Sequence, residues 1–190
     1  MRIDDGRLLI CSPHSAFRIR LTAMSPLKPI SRDSVPAALQ KAERYRLLGE
    51  PTAAESICLD VLALEPENQQ AAITLLLAIT DQFPDAPAEG ERRARDVLPR
   101  LRDDYKRAYY EGIIYERRAK AQLRRGAPGA GEMAYEWFQK AMTLYERAEA
   151  LRPPGDDEAI LRWNTCARIL ARDADHVRPR IEQDYEPSLE

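Results

Sequence analysis

Residues 48–71 read LGEPTAAESICLDVLALEPENQQA, and the fold class turns on how this stretch is read. Ala54, Ile57, Cys58, Val61, Leu62 and Leu64 return at intervals of three and four, the spacing of one buried stripe on an α-helix. Gly49 stops whatever precedes the helix, Pro66 follows its end, and Asn68 is placed to cap the next one. Thr52 and Glu55 match a T-x-x-E capping box, in which the hydroxyl takes a free amide and the carboxylate reaches back. Such a cap contributes about 1 kcal/mol, enough to set where the helix begins. One helical hairpin cannot bury its apolar stripe alone, so the stretch requires neighbours.

The chain on either side supplies them. SVPAALQKAERYRLLG at 34–49 has a candidate N-cap in Ser34, Pro36 in the first turn and Gly49 as the stop. Ala38, Leu39, Ala42, Tyr45 and Leu48 form its apolar stripe. Residues 35–68 together resemble a tetratricopeptide repeat of 34 residues. Ala42, Ala54 and Val61 stand where that family wants small residues at helix crossings, and Tyr45, Gly49 and Pro66 fill its aromatic, glycine and proline positions. Cys58 departs from the pattern, where a larger aromatic is usual.

A second, degenerate unit follows. It opens QQAAITLLLAITDQF, with Leu76 bulky at a small-residue position, and Pro99 sits inside its second helical segment. An interior proline costs about 3 kcal/mol, so the sequence predicts a break near Val97. A third unit presents Tyr109, Gly112 and Tyr115, then a Gly-rich connector GAPGAG, then a long helix with Ala141, Tyr145, Ala148 and Pro153. A last segment offers Trp163, Ala167 and Leu170 with no partner helix after it. The resemblance covers residues 35–172 and implies an all-α, TPR-like right-handed helical-repeat solenoid of about three helical hairpins plus a C-terminal capping helix. The expected domain is 34–172, with an N-terminal extension at 1–33 expected to be disordered and an acidic C-terminal tail at 173–190. Met24 is a candidate start, which would make residues 1–23 an upstream extension.

Composition narrows the function classes. The 190 residues suit one domain with a real core. The formal net charge of −2 provides no global attraction to nucleic acid or membrane. Cys11, Cys58 and Cys166 are too scattered for a disulfide framework or a metal site. No apolar run reaches the roughly 18–20 residues a membrane span needs. Asp4 and Asp5 sit where a leader avoids acid, so the expected location is cytoplasmic. The two histidines, His14 and His176, fall in the tails. No nucleophile elbow, HExxH or CxxC pattern occurs, and GAPGAG lacks the preceding strand and Lys-Ser/Thr ending of a phosphate loop. The expectation is a non-enzyme with no catalytic residue, cofactor or metal.

Charge is unevenly placed, however. Residues 91–125 hold twelve Lys/Arg against six Asp/Glu, interleaved with Tyr105, Tyr109, Tyr110 and Tyr115. This can be read as a solvated amphipathic helix, or as a phosphate-and-stacking surface for RNA or another anion. The slightly negative whole-chain charge favours the first and makes a nucleic-acid partner the alternative.

The family resemblance implies a ligand groove on the inner faces of the first helices. Carried onto this chain, that face takes Arg46, Leu77, Lys106, Tyr109, Ile113, Glu116 and Arg117, and on the last helix Asn164, Arg168 and Arg172. The last three are spaced by four and share one side of their helix. An apolar groove ending in Arg and Asn suits a peptide with an acidic or carboxylate end. The competing reading pairs these arginines with nearby acids. The tail IEQDYEPSLE is acidic enough to occupy such a groove in its own chain or in a second copy, a route to self-association. The function expected is a scaffold, adaptor or chaperone-like protein-interaction module. The alternative is an RNA- or anion-binding regulator using 91–125.

Overall fold

The computed structural model describes residues 26–179. Among them it is all-helical, with seven α-helices, two short 3-10 turns and no strand. The helices are α1 (Val35–Leu47), α2 (Pro51–Leu64), α3 (Gln69–Asp81), α4 (Pro87–Val97), α5 (Asp104–Arg125), α6 (Ala130–Leu151) and α7 (Glu158–Arg172). No described helix is long and apolar enough to cross a membrane. The expectations for residues 1–25, including the alternative start at Met24, and for 180–190, including the acidic tail as a groove ligand, lie outside the described residues.

Local signals explain most boundaries. Gly49 takes φ +80°, a left-handed conformation open to glycine at little cost, and so lets α1 turn into α2. Asn68 caps α3, its side-chain oxygen accepting from the Ala71 amide at 2.9 Å. Asp103 caps α5 in the same way, accepting from the Lys106 amide at 3.0 Å. The chain leaves the α-helix at Val97 and passes Pro99 in a 3-10 turn, Leu98–Arg100, because the ring removes a donor and clashes with the preceding turn. Gly126 and Gly129, at φ +63° and +74°, close the tight connector between α5 and α6.

The capping box expected at Thr52 and Glu55 does not form. Pro51 occupies the first helical position, so the helix begins two residues earlier and Glu50 becomes its flanking residue. The Thr52 hydroxyl meets the Gln82 side chain at 3.4 Å instead. Glu55 accepts from Gln82 Nε2 at 2.8 Å and pairs with Arg93. The two residues therefore tie α2 to the end of α3 and to α4. Ser34 also makes no side-chain cap; its hydroxyl donates to the Ser31 carbonyl at 2.7 Å within a 3-10 turn.

Each helix packs chiefly on its neighbours in the chain, and α3 also touches α1 and α5. α3 lies deepest, with Ala71, Ile73, Leu75, Leu76, Ala78 and Ile79 all buried. The core divides into two clusters. One gathers α1 to α4 around Cys58, Val61, Leu76 and Phe83. The other joins α5, α6 and α7 around Phe138, Tyr145, Ala159 and Cys166. Leu77 of α3 and Tyr110 of α5 pack against both, so the seam between clusters runs along α3 and α5. Burying a side chain such as Phe138 or Leu76 stabilises by about 1.5–3 kcal/mol, and each cluster holds several.

The long antiparallel pair α5–α6 is held in register at Gly112. A Cβ there would stand 2.6 Å from Cε1 of Tyr145, closer than packed atoms come. The absent side chain is what lets the Tyr145 ring lie against α5. Beyond α7 the chain returns to the start of α6, where Val177 is buried and the His176 carbonyl lies over Gly131. Cys58 and Cys166 are both fully buried, and burial pushes each thiol up to about 12. They act as small hydrophobes with negligible thiolate at neutral pH.

Candidate anion-binding site

The seam between the clusters carries a lattice of buried and half-buried ion pairs. It is built around two carboxylates, Asp81 at the last turn of α3 and Glu116 in the middle of α5. Glu116 is 0 % exposed, because it follows Gly112 by four residues and so shares the face of α5 turned toward α6. Its Oε2 accepts from the Tyr145 hydroxyl at 2.6 Å. Its Oε1 pairs with Lys120, one turn on, and with Arg162 Nη1 of α7 at 3.3 Å. Burial pushes the Glu116 carboxyl up, but the Lys120 charge and hydrogen bond, the Tyr145 hydroxyl and Arg162 outweigh it and hold the group below its ordinary value.

Asp81 bridges two guanidiniums from different helices. Arg46 Nε of α1 stands 2.7 Å from Oδ2, and Arg117 Nη1 of α5 stands 2.6 Å from Oδ1. Arg117 also donates to the Leu77 carbonyl at 2.9 Å and to the Thr80 hydroxyl. Burial lowers the Arg117 pKa; Asp81 offsets part of that, while the like charges of Arg46 and Arg162 add to it.

A cavity of about 230 Å³ opens onto this lattice. Its wall carries Arg117, Lys120, Arg124 and Arg162 against Asp81 and Glu116, with Phe83 and Pro84 on one side. Arg124 is exposed in the last turn of α5 and makes no ion pair with any described residue.

The expected groove residues distribute as follows. Arg117 lines the cavity; Arg46 adjoins it through Asp81, and Leu77 through its carbonyl. Tyr109 and Ile113 are packed into the second cluster at 6 % and 1 % exposure, so neither offers a free ligand surface. They hold the α5–α6 interface, with the Tyr109 ring between those of Tyr105 and Tyr145. Lys106 lies in the first turn of α5, away from the cavity.

Asn164, Arg168 and Arg172 do not line this cavity. Successive helix residues turn about 100°, which puts the three roughly 200°, 240° and 280° round the axis from Arg162, and of the four only Arg162 lies on the cavity wall. Arg168 is exposed and Arg172 is committed to Asp173 at 2.7 Å. Of the expected stripe, Trp163 and Leu170 pack against the second cluster beside the buried Ala159 and Cys166, and Arg162, at the edge of that stripe, lines the cavity.

Arg162, Lys120, Arg124 and Asp81 were thus not among the expected site residues. A signal for part of this lay in the i,i+4 pair Glu116–Lys120, which falls in line with Gly112 on a buried face.

Many of the bases in the stretch 91–125 are paired, with acids of the stretch itself and with Glu55, Glu67 and Glu89 outside it. Arg92 pairs with Glu89 and Asp96, Arg93 with Glu55, Arg95 with Glu91 and Glu111, Arg102 with Glu67, Arg107 with Asp104, and Arg118 with Glu91. Tyr105 and Tyr109 are buried. The Tyr115 ring is covered by Arg95 at 4.8 Å and Lys140 at 5.9 Å. The stretch therefore presents no open row of aromatic faces.

Comparison with protein-family models, with curated proteins and with solved structures finds no match to this chain.

Proposed function

We propose that the chain is a non-enzymatic protein-interaction module, a scaffold, adaptor or chaperone-like protein whose ligand is a peptide or protein segment with an acidic or carboxylate-bearing end. In this reading α1/α2, α3/α4 and α5/α6 are three hairpins of a tetratricopeptide-like right-handed solenoid, α7 caps it, and α1, α3, α5 and α7 line its inner face. Contacts of α3 with both α1 and α5 support that order of first helices.

The observation that carries the proposal is the cavity at the seam, where four cations converge on two acids. Surface cations are ordinarily matched locally and worth little. Here they are gathered from α5 and α7 around space open to a ligand, and guanidinium forks bind carboxylates bidentately. A non-enzymatic role is supported by the state of the reactive groups. Glu116 is locked in ion pairs and the two described thiols are buried and protonated, which suits none of them to acid–base or nucleophilic work. The alternative, RNA binding through 91–125, is disfavoured by the acids that occupy most of its bases and by the covered tyrosines.

The test is partner capture from the native cell with three baits: the full chain, Lys120→Glu/Arg124→Glu, and Arg168→Glu/Arg172→Glu. A protein held by the first and third baits and lost from the second supports the reading. Equal recovery on all three, or recovery of RNA in place of protein, overturns it.

A further inference from the structure

We propose that the group recognised in the seam cavity is a phosphate monoester dianion, carried on a phosphorylated side chain of the bound partner segment. The inference rests on the peptide-binding reading above and specifies the chemistry of its anchor.

Charge comes first. Arg46 and Arg117 share Asp81, and Lys120 and Arg162 share Glu116. The cavity wall itself carries Arg117, Lys120, Arg124 and Arg162 against Asp81 and Glu116, a surplus of two positive charges. A carboxylate brings one negative charge, whereas a phosphate monoester brings about −1.5 to −2 at neutral pH. The dianion matches the surplus more nearly.

Donor capacity points the same way. The Glu116 oxygens already serve Tyr145, Lys120 and Arg162, so that acid has little further capacity to accept. The cations do have capacity to give. Arg162 uses Nη1 on Glu116, and Arg117 directs Nη1 alone at Leu77, Thr80 and Asp81. A guanidinium has five N–H donors and an ammonium three, so several remain for an incoming group. Three phosphate oxygens arranged as a tetrahedron use donors converging from several helices, whereas a flat carboxylate is satisfied by one fork.

Size supplies the last constraint. About 230 Å³ lies below the roughly 300–1,000 Å³ typical of sites that enclose a drug-sized ligand. The cavity takes a head group with the first atoms of its stem, not a whole nucleotide. The exposed Pro84 at the cavity rim gives that stem an apolar contact.

The test uses the full chain and three short peptides identical except for a central phosphoserine, glutamate or serine, with O-phosphoserine itself as a fourth probe. Binding is followed by calorimetry and by the side-chain NMR signals of the cavity arginines. The phosphoserine peptide is expected to bind at least about tenfold more tightly than the glutamate peptide, with the serine peptide weakest. Arg124→Gln is expected to lose about tenfold, since one hydrogen bond to a charged group is worth about 1.5–3 kcal/mol and tenfold is about 1.4 kcal/mol. Arg124 has no described structural partner, so this variant folds, and Arg168→Gln on the far side of α7 serves as the control.

Equal affinity for the phosphoserine and glutamate peptides overturns the phosphate assignment and leaves the acidic-segment reading standing. Binding of free O-phosphoserine with no gain from any flanking peptide overturns the peptide reading and keeps the anion chemistry. No response to any of the four probes overturns the proposal outright.

Discussion

Replacing Glu116 with Gln changes little in shape and much in charge. The amide oxygen still accepts from the Tyr145 hydroxyl, but the bond loses its charge assistance, a difference of about 1 kcal/mol. Lys120 and Arg162 lose their shared counter-charge. Their side chains are 34 % and 35 % exposed, so water screens part of that loss and each pair is worth about 1 kcal/mol at most. Together the substitution should cost about 2–3 kcal/mol. For a domain of this size about 2–4 °C accompanies each kcal/mol, which gives a fall in Tm of roughly 4–12 °C.

Urea unfolding is the assay, and the midpoint should drop with no change in slope. Acid adds a second signature. The folded Glu116 carboxyl titrates below its ordinary value, so its contribution is present above the unfolded pKa of about 4.3. The contribution is lost as pH falls through the folded pKa. The gap between wild type and Glu116→Gln should therefore stay level from pH 7 to about 5 and close at more acid pH. A variant within about 0.5 kcal/mol of wild type at pH 7, or a gap that widens in acid, would refute the buried ionic lattice.

Two further predictions concern packing and capping. Gly112→Ala places a methyl within 2.6 Å of the Tyr145 ring; overpacking of about 1–3 kcal/mol should outweigh the helix propensity gained by Ala, lowering the urea midpoint, and a stabilised variant would contradict the close approach. Asn68→Ala should cost about 1 kcal/mol through loss of the α3 cap, while Thr52→Ala should stay within about 0.5 kcal/mol because its hydroxyl makes only a long contact to Gln82. The reverse order in thermal melts would restore the capping box.

The all-helical architecture was legible because apolar spacing and punctuation agreed. The stripe through Ala54, Cys58 and Val61, glycine at 49, asparagine at 68 and proline at 99 all marked features that the fold contains. The misreadings have separate physical causes. Successive residues turn a helix face by about 100°, so a stripe of apolar positions leaves its flanks undecided. In the segment after 156, Trp163 and Leu170 do pack against the second cluster beside Ala159 and Cys166, but the flanking cation that lines the cavity is Arg162 rather than Asn164, Arg168 or Arg172. Glu116 belongs to the expected groove face, but its full burial is not legible in the sequence, because a charged residue at i,i+4 from a lysine reads as surface and the burial depends on Tyr145, twenty-nine residues away. Thr52 failed as a cap because Pro51 set the helix start by fixing its own φ, an effect stronger than the downstream pattern.

The central claim is that ligand lies against the seam between α3, α5 and α7. The most direct measurement is site-specific photocrosslinking with the captured partner, placing the photoreactive side chain at Pro84, on the cavity rim, and in a second protein at Arg168, on the far side of α7. The account predicts a partner adduct from position 84 and none from position 168. Adducts from 168 with none from 84 would place the ligand on the opposite face and contradict it.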